Sequence, residues 1–304
     1  MAWTPDQLPD LSARTILVTG ANSGIGWEAA RLLARRGARV ILACRSPDRA
    51  AAACARLLAE LPTARLEQVQ LDLGSLASIR TCAAEVEARF GRLDVLVNNA
   101  GIMAVPFART ADGFEVQVGT NHLGHFALSA LLGSALARSE APRVVTVSST
   151  THWAGRVDID ALVEPRQYSK WGAYAASKLA NLLFTMELHR RAGAAGSPLC
   201  AVACHPGYAA TNLQGVGPSQ EGARLAGWVM AAGNALFAQS AERGAWPTVH
   251  AAAGDVVSGK YYGPAYGLWG YPREDVMSAA ARDSAVAERL WVASERLTGV
   301  RWFS

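Results

Sequence analysis

Tyr174 and Lys178 stand four residues apart in the stretch Tyr174-Ala175-Ala176-Ser177-Lys178. One helical turn would bring the phenol and the ammonium onto a single face. A free tyrosine titrates near ~10, too high to exchange protons readily at neutral pH. A lysine charge held close favours the phenolate and lowers that value, which makes the pair a candidate general acid/base. The same spacing also suits an amphipathic helix with a half-buried tyrosine and a snorkelling lysine. What separates the two readings is the company the pair keeps.

That company lies at the ends of apolar runs. Thr19-Gly20-Ala21-Asn22-Ser23-Gly24-Ile25-Gly26 follows the first run and opens the first helical segment. Gly20 permits a tight turn, Gly24 lets the backbone approach a pyrophosphate, and Gly26 allows close packing of helix on strand. The free N–H groups of the helix start then face the phosphates. The spacing is G-x-x-x-G-x-G, not G-x-G-x-x-G. Asp72 ends the third run, Asn98-Asn99-Ala100-Gly101 the fourth, Ser148-Ser149 the fifth and His205-Pro206-Gly207 the sixth, with Thr211 close behind. Each alone is an ordinary turn former. Their joint placement at the carboxyl ends of the runs marks a ligand crevice.

The elements that must carry these residues alternate. Apolar runs at Thr15–Thr19, Arg39–Ala43, Leu66–Leu71, Leu93–Val97, Arg143–Ser148 and Leu199–Cys204 read as strands. Helical patterns fall at Trp27–Arg36, Pro47–Leu61, Ser75–Phe90, Asp112–Arg138 (one long helix) and Gly172–Ala192. Ser219–Arg243 is helical in parts, Gly259–Tyr262 is a candidate last strand and Val276–Leu297 holds a final helix. Continuous apolar strands alternating with helices indicate an α/β fold: a Rossmann-type, doubly wound parallel sheet. No linker or repeat divides the chain, so residues 1–304 read as one domain.

Composition bounds the function. Of 304 residues, 51% are hydrophobic and 18% charged, which suits a buried core and excludes disorder. The net charge of +4 is scattered, with no basic patch for nucleic acid. The five cysteines have no zinc spacing, no metal cluster is expected, and reduced thiols fit a cytoplasmic protein. The stretch Met1 to Ser12 has no apolar signal core, and no window suits an integral membrane segment.

With these residues together, the chain resembles the short-chain dehydrogenase/reductase family over about residues 14 to 265. The motifs are TGANSGIG at 19–26, NNAG at 98–101, Asn121, Ser149, YAASK at 174–178 and the Pro-Gly pair at 206–207. Ala43-Cys44-Arg45, Asn121-His122-Leu123-Gly124-His125-Phe126 and Ser177-Lys178-Leu179-Ala180-Asn181 resemble the retinol-dehydrogenase-like branch and its bacterial relatives. The resemblance implies a catalytic set of Asn121, Ser149, Tyr174 and Lys178. Tyr174 would exchange the proton with the substrate oxygen, Ser149 would hold that oxygen, Lys178 would depress the tyrosine pKa and bind the nicotinamide ribose, and Asn121 would hold a water linking Lys178 to solvent. Hydride transfer belongs to the cofactor. The cofactor site implied comprises Gly20, Asn22, Ser23, Gly24, Ile25, Gly26, Arg45, Asp72, Leu73, Asn98, Ala100, Gly101, Tyr174, Lys178, Pro206, Gly207 and Thr211. Ser148 is the alternative to Ser149. Tyr168 lacks a lysine partner, its i+4 residue being Gly172. The 25-residue step from Ser149 to Tyr174 is about twice the common one, so Trp153 to Trp171 should add a loop beside the site.

At the end of the second strand, where an NAD site usually offers Asp or Glu, this chain has Cys44 and Arg45. A guanidinium there can pair with a 2′-phosphate, so NADP(H) is expected over NAD(H), with Ser23 as a further donor. The family's substrate lid would span about 212–243, including Leu225 to Met230, Leu236 and Phe237, and a C-terminal extension about 264–304. Tyr261, Tyr262, Tyr266, Leu268, Trp269 and Tyr271 could wall a pocket or pack the core. The expected activity is interconversion of a lipophilic ketone or aldehyde with its alcohol. A regulatory NADPH-binding protein without turnover, and reduction of a carbon–carbon double bond, are the alternatives. The resemblance also implies a homodimer or homotetramer built on helices Asp112–Arg138 and Gly172–Ala192.

Overall fold

The six runs become parallel strands, five with both faces covered and the other, at the sheet edge, buried only at Val69. In the computed structural model, which describes residues 2–160, 162, 167–207 and 240–303, these are β1 (Thr15–Thr19), β2 (Arg39–Cys44), β3 (Arg65–Gln70), β4 (Val95–Asn98), β5 (Arg143–Val147) and β6 (Cys200–Cys204). With β7 (Tyr261–Pro264) and β8 (Pro272–Glu274) they form one sheet in the order β3-β2-β1-β4-β5-β6-β7-β8. Only the β7–β8 pairing is antiparallel. The order reverses between β1 and β4, so the chain ends of these two strands open a crevice. This is the doubly wound Rossmann architecture.

Helices α1 (Gly24–Arg35), α2 (Pro47–Glu60) and α3 (Leu76–Phe90) return the chain between the first four strands. Serine caps set two of the starts: Ser46 accepts from Arg49 N, and Ser75 accepts from Ser78 N. The expected single helix over 112–138 is broken. A short turn at Val116–Val118 runs into a π-helix at Gly119–Leu123, then α4 (Gly124–Leu131) and α5 (Gly133–Ala137). In the π-turn the N–H of Gly124 reaches back to the carbonyl of Gly119. The Asn121 carbonyl within this turn accepts from the His125 imidazole at 3.0 Å.

Helix α6 (Lys170–Ala194) carries the Tyr/Lys pair and starts on Ser169, whose side chain accepts from Gly172 N. Two elements were not legible as such. Helix α7 (Ala241–Ala253) contains Gly244 and Pro247, which interrupt its pattern. Strand β8 is three residues long, with Arg273 and Glu274 exposed at the sheet edge. The last parallel strand lies two residues later than Gly259–Tyr262. Most of the expected lid, 212–243, including Leu225 to Met230, Leu236 and Phe237, lies outside the described residues, as does Thr211.

Helix α8 (Ser284–Thr298) lays Ala287, Leu290, Trp291, Ser294 and Thr298 against the body. Trp291 stacks on Phe184 of α6 at 5.8 Å and meets Phe126 of α4 edge-on at 5.0 Å. The Ser294 hydroxyl bonds His122 Nε2 at 3.0 Å. With α8 and the other elements packed on it, α6 has no fully exposed residue between Tyr174 and Leu188. Helix α8 thus packs on α6 and α4, which belong to the two helical segments expected to form a subunit interface. Trp291→Ala should cost about 3–5 kcal/mol of stability by emptying this contact. Urea unfolding checks it, and a loss below about 1 kcal/mol would show that α8 is not anchored there.

Candidate active site

The carboxyl ends of the strands surround a cavity of about 940 Å³. Its floor at one end is the glycine loop between β1 and α1. Gly20 and Gly24 both have positive φ, +68° and +55°. A Cβ on Gly26 would sit 2.5 Å from both Asn99 Nδ2 and the Gly20 carbonyl oxygen, so only glycine fits there. Thr19 ties this loop to the β4 end. Its hydroxyl oxygen accepts from Asn99 N and Ala100 N, each at 2.9 Å, and its carbonyl accepts from Asn99 Nδ2 at 2.8 Å.

Most of the residues expected to line the site do so: Gly20, Asn22, Ser23, Gly24, Ile25, Gly26, Arg45, Asp72, Leu73, Ala100, Gly101, Ser149, Tyr174, Lys178, Pro206 and Gly207 all face the cavity. Two do not. Asn98 is buried and donates to Ser129 Oγ of α4 at 2.9 Å; the last side chain of β4 points into the helical layer, and Asn99 takes its place at the cavity. Asn121 is 0% exposed, and its side chain is spent on scaffolding. Its Oδ1 accepts from Ile102 N at 2.8 Å, and its Nδ2 donates to Ile102 O and Ser177 Oγ, each at 2.9 Å. Asn121 thus clamps the Asn99–Ile102 turn to α6.

At the opposite end from the glycine loop stand Ser149, Tyr174 and Lys178. Lys178 Nζ donates to the Val147 carbonyl at 3.1 Å and lies 5.7 Å from the Tyr174 ring centre. Burial acts on the tyrosine in the direction opposite to the lowering expected from Lys178. Burial pushes the Tyr174 phenol up to about 12, opposed only by the Ser149 hydroxyl beside it. Burial likewise brings Lys178 down to about 8. Desolvation dominates both groups, which are almost wholly out of water, and the ammonium is aimed at a backbone carbonyl. Ser149 Oγ accepts from Thr151 N at 3.2 Å, which leaves its proton to donate. The neighbouring Ser148 also faces the cavity, but its hydroxyl donates to the Lys178 carbonyl at 2.7 Å. Tyr168 bonds Val105 O and Gln117 Nε2, away from the cavity.

Several lining residues carried no sequence signal of their own. Arg49 and Arg56 of α2 join Arg45 around one end of the cavity, and Arg56 stacks over Trp27 at 4.2 Å. Their separation of seven residues, two helical turns, puts both on one face of α2 and could have exposed them. Ile102, Met103, Trp171 and Leu268 supply apolar wall. Of the C-terminal aromatics, Tyr261 and Tyr262 are buried in the core, while Tyr266 and Trp269 are 74% and 52% exposed. No group of acidic, histidine or cysteine side chains among the described residues could hold a metal ion.

The family model for the short chain dehydrogenases matches residues 14–222, over the glycine loop, the β4 turn and the Ser/Tyr/Lys set. The chain belongs to that family. Among its relatives, this short-chain dehydrogenase is 40% identical to human retinol dehydrogenase 13 over 294 residues, covering 95% of this chain and 86% of the relative. Mouse polyprenol dehydrogenase is 40% identical over 311 residues, covering 98% and 87%. A solved structure of an uncharacterized protein from Mycobacterium paratuberculosis superposes with a TM-score of 0.83 at 44% identity, covering 99% of each chain. The short-chain dehydrogenase is therefore an NAD(P)-dependent oxidoreductase, and none of its helices among the described residues is long and apolar enough to cross a membrane.

The buried ammonium has a measurable consequence. The folded-state pKa of Lys178, about 8, lies below its ordinary value of 10.5. Below pH 8 the folded protein therefore carries the full cost of burying the charge, and that cost fades as pH rises to 10.5. Lys178→Met removes it, and the Val147 carbonyl keeps its bond from Asn181 Nδ2 at 3.1 Å. Chemical denaturation at pH 7 should show a gain of about 1–3 kcal/mol that shrinks above pH 8. A loss of stability at both pH values would contradict this.

Proposed function

We propose that the protein is an NADP(H)-dependent oxidoreductase that interconverts a lipophilic ketone or aldehyde and its alcohol. The observation that carries this reading is the polarity of one cavity: Arg45, Arg49 and Arg56 at one end, Ser149, Tyr174 and Lys178 at the other. The residues between them fit a dinucleotide. Helices α2, α3, α6, α7 and α8 each start on a Ser or Asp whose side chain accepts an N-terminal N–H. Helix α1 starts on Ser23, whose side chain makes no such bond, and Gly24 to Gly26 face the cavity. Those N–H groups and the helix dipole suit a pyrophosphate. The three guanidiniums suit a 2′-phosphate, and no acidic residue stands at the end of β2 to accept from a 2′-hydroxyl.

The nicotinamide, when bound, supplies the hydride. The chain's own residues handle the substrate oxygen. Burial keeps Tyr174 protonated at neutral pH, so its O–H is loaded to donate to a carbonyl oxygen during reduction. The Ser149 O–H, its oxygen already engaged by Thr151 N, donates to the same oxygen and holds it in place. The Lys178 cation then stabilises the phenolate left on Tyr174. Asn121 acts through position, fixing the Ile102 turn against Ser177 of the helix that carries both catalytic side chains. Ile102, Met103, Trp171 and Leu268 favour an apolar substrate body. The names of the relatives, for retinol and polyprenol, support a lipophilic alcohol or aldehyde.

Oxidation of NADPH should be followed against a panel of lipophilic aldehydes, ketones and retinoid or steroid carbonyls. Tyr174→Phe is expected to lower kcat/KM by about 10²- to 10⁴-fold. Full activity in that variant would remove Tyr174 as the proton donor, and no turnover of any carbonyl despite NADPH binding would favour a regulatory role. Reductive activity should hold up to about pH 8 and then fall as Lys178 loses its proton. For the cofactor, Arg45→Glu and Arg49→Glu should each weaken NADPH use by about 10-fold or more while sparing NADH. Equal or better use of NADH by the unsubstituted protein would refute the NADP(H) preference.

A further inference from the structure

Two buried histidines stand behind the catalytic end of the cavity, and the mechanism above uses neither. His205 follows β6 and is 0% exposed. Its Nδ1 accepts from Gly207 N at 3.2 Å, so the ring proton sits on Nε2, which donates to Asp275 Oδ2 at 2.8 Å. His152, in the 3₁₀ turn Thr150–Ala154, is 1% exposed. Its Nδ1 donates to the Ser149 carbonyl at 2.7 Å, and its Nε2 accepts from Ser278 N at 3.2 Å. Each ring is thus held in one neutral tautomer by a backbone partner on one side and the segment after β8 on the other.

The two rings also share a spacer. Tyr261 of β7 lies between them, tilted on His205 with ring centres 5.1 Å apart and edge-on to His152 at 5.5 Å. A Cβ on Gly263 would fall 1.8 Å from His205 Nε2, so the strand leaves the imidazole its space by having no side chain there. The bond from His205 holds the Asp275 carboxyl below its usual range, and burial keeps His152 neutral. Gly207 and Ser149, the residues gripped, both line the cavity.

We propose that His205 and His152 are positioning residues that tie the backbones of Gly207 and Ser149 to the 275–278 segment and so set the width of the catalytic end of the cavity. The inference rests on the reading of that cavity as a dinucleotide site with its nicotinamide half beside Gly207. The segment beyond β8, remote from the motifs in sequence, becomes the outer frame of the nicotinamide and substrate-oxygen subsites. The arginine end is built by α1 and α2 and owes nothing to this bracket. The two halves of the cofactor should therefore respond differently to its loss.

The test is binding of NADPH and of 2′,5′-ADP, the adenosine half alone, by titration calorimetry with the full chain. His205→Ala should weaken NADPH by about tenfold and leave 2′,5′-ADP within about twofold. His205→Asn, whose side-chain oxygen can still accept from Gly207 N, should recover part of the loss. Asp275→Ala, at a carboxylate 26% exposed, should shift NADPH alone in the same direction and serves where His205→Ala does not fold. Equal weakening of both ligands, or none in either, would overturn the inference. Failure of the unsubstituted protein to bind NADPH would sink the cofactor reading and this inference with it.

Discussion

The Val147 carbonyl at the end of β5 accepts two buried donors from α6, Lys178 Nζ and Asn181 Nδ2, each at 3.1 Å. The adjacent Ser148 hydroxyl returns a bond to the Lys178 carbonyl at 2.7 Å. This three-bond seam locks one helix to one strand end in a single rotation and height. Ser149 is the next residue along the strand, and Tyr174 is one turn back along the helix. Their proximity follows from the seam and needs no loop to create it. A buried polar seam of this kind is costly if any partner is lost and rigid when all are present.

A second set of bonds joins that seam to the glycine loop. Thr19 Oγ holds the Asn99–Ala100 turn and meets His125 Nε2 at 3.0 Å, while His125 Nδ1 donates to Asn121 O. Asn121 in turn bonds Ile102 and Ser177. Burial lowers His125 to about 4, so it stays neutral and the direction of the chain is set: Thr19 donates to the ring, and the ring donates to Asn121. The Asn121 carbonyl that takes part lies within the π-turn. The two ends of the cavity are thereby referred to each other through the interior of the protein.

Much of this was legible in the residues. The glycine loop, the polar strand ends and the Tyr/Lys step declared themselves because each needs particular residue types at particular spacings. The parallel strands other than β3 did so because burial on both faces leaves a nearly continuous apolar run. The break in the 112–138 helix did not, since a π-turn changes hydrogen bonds without changing composition. Asn98 and Asn99 could not be told apart, because alternation along β4 decides which one meets the cavity. The direction of the Tyr174 shift was also out of reach, because it depends on how dry the site is and where Lys178 Nζ points. The bracket joins His205 to Asp275, 70 positions away, and His152 to Ser278, 126 positions away, spans over which local pattern carries no information.

Helix α6 has no fully exposed residue from Tyr174 to Leu188, only Ala176 and Met186 being partly exposed, and α8 covers part of its outer side. Local fraying, the usual route by which surface helices loosen, has nowhere to begin along that stretch. Opening of that stretch requires the elements packed on it to move as well. The distance between phenol and ammonium is therefore guarded by the global stability of the fold, not by the local strength of one helix. Thermal softening that stops short of unfolding would leave the reacting geometry intact.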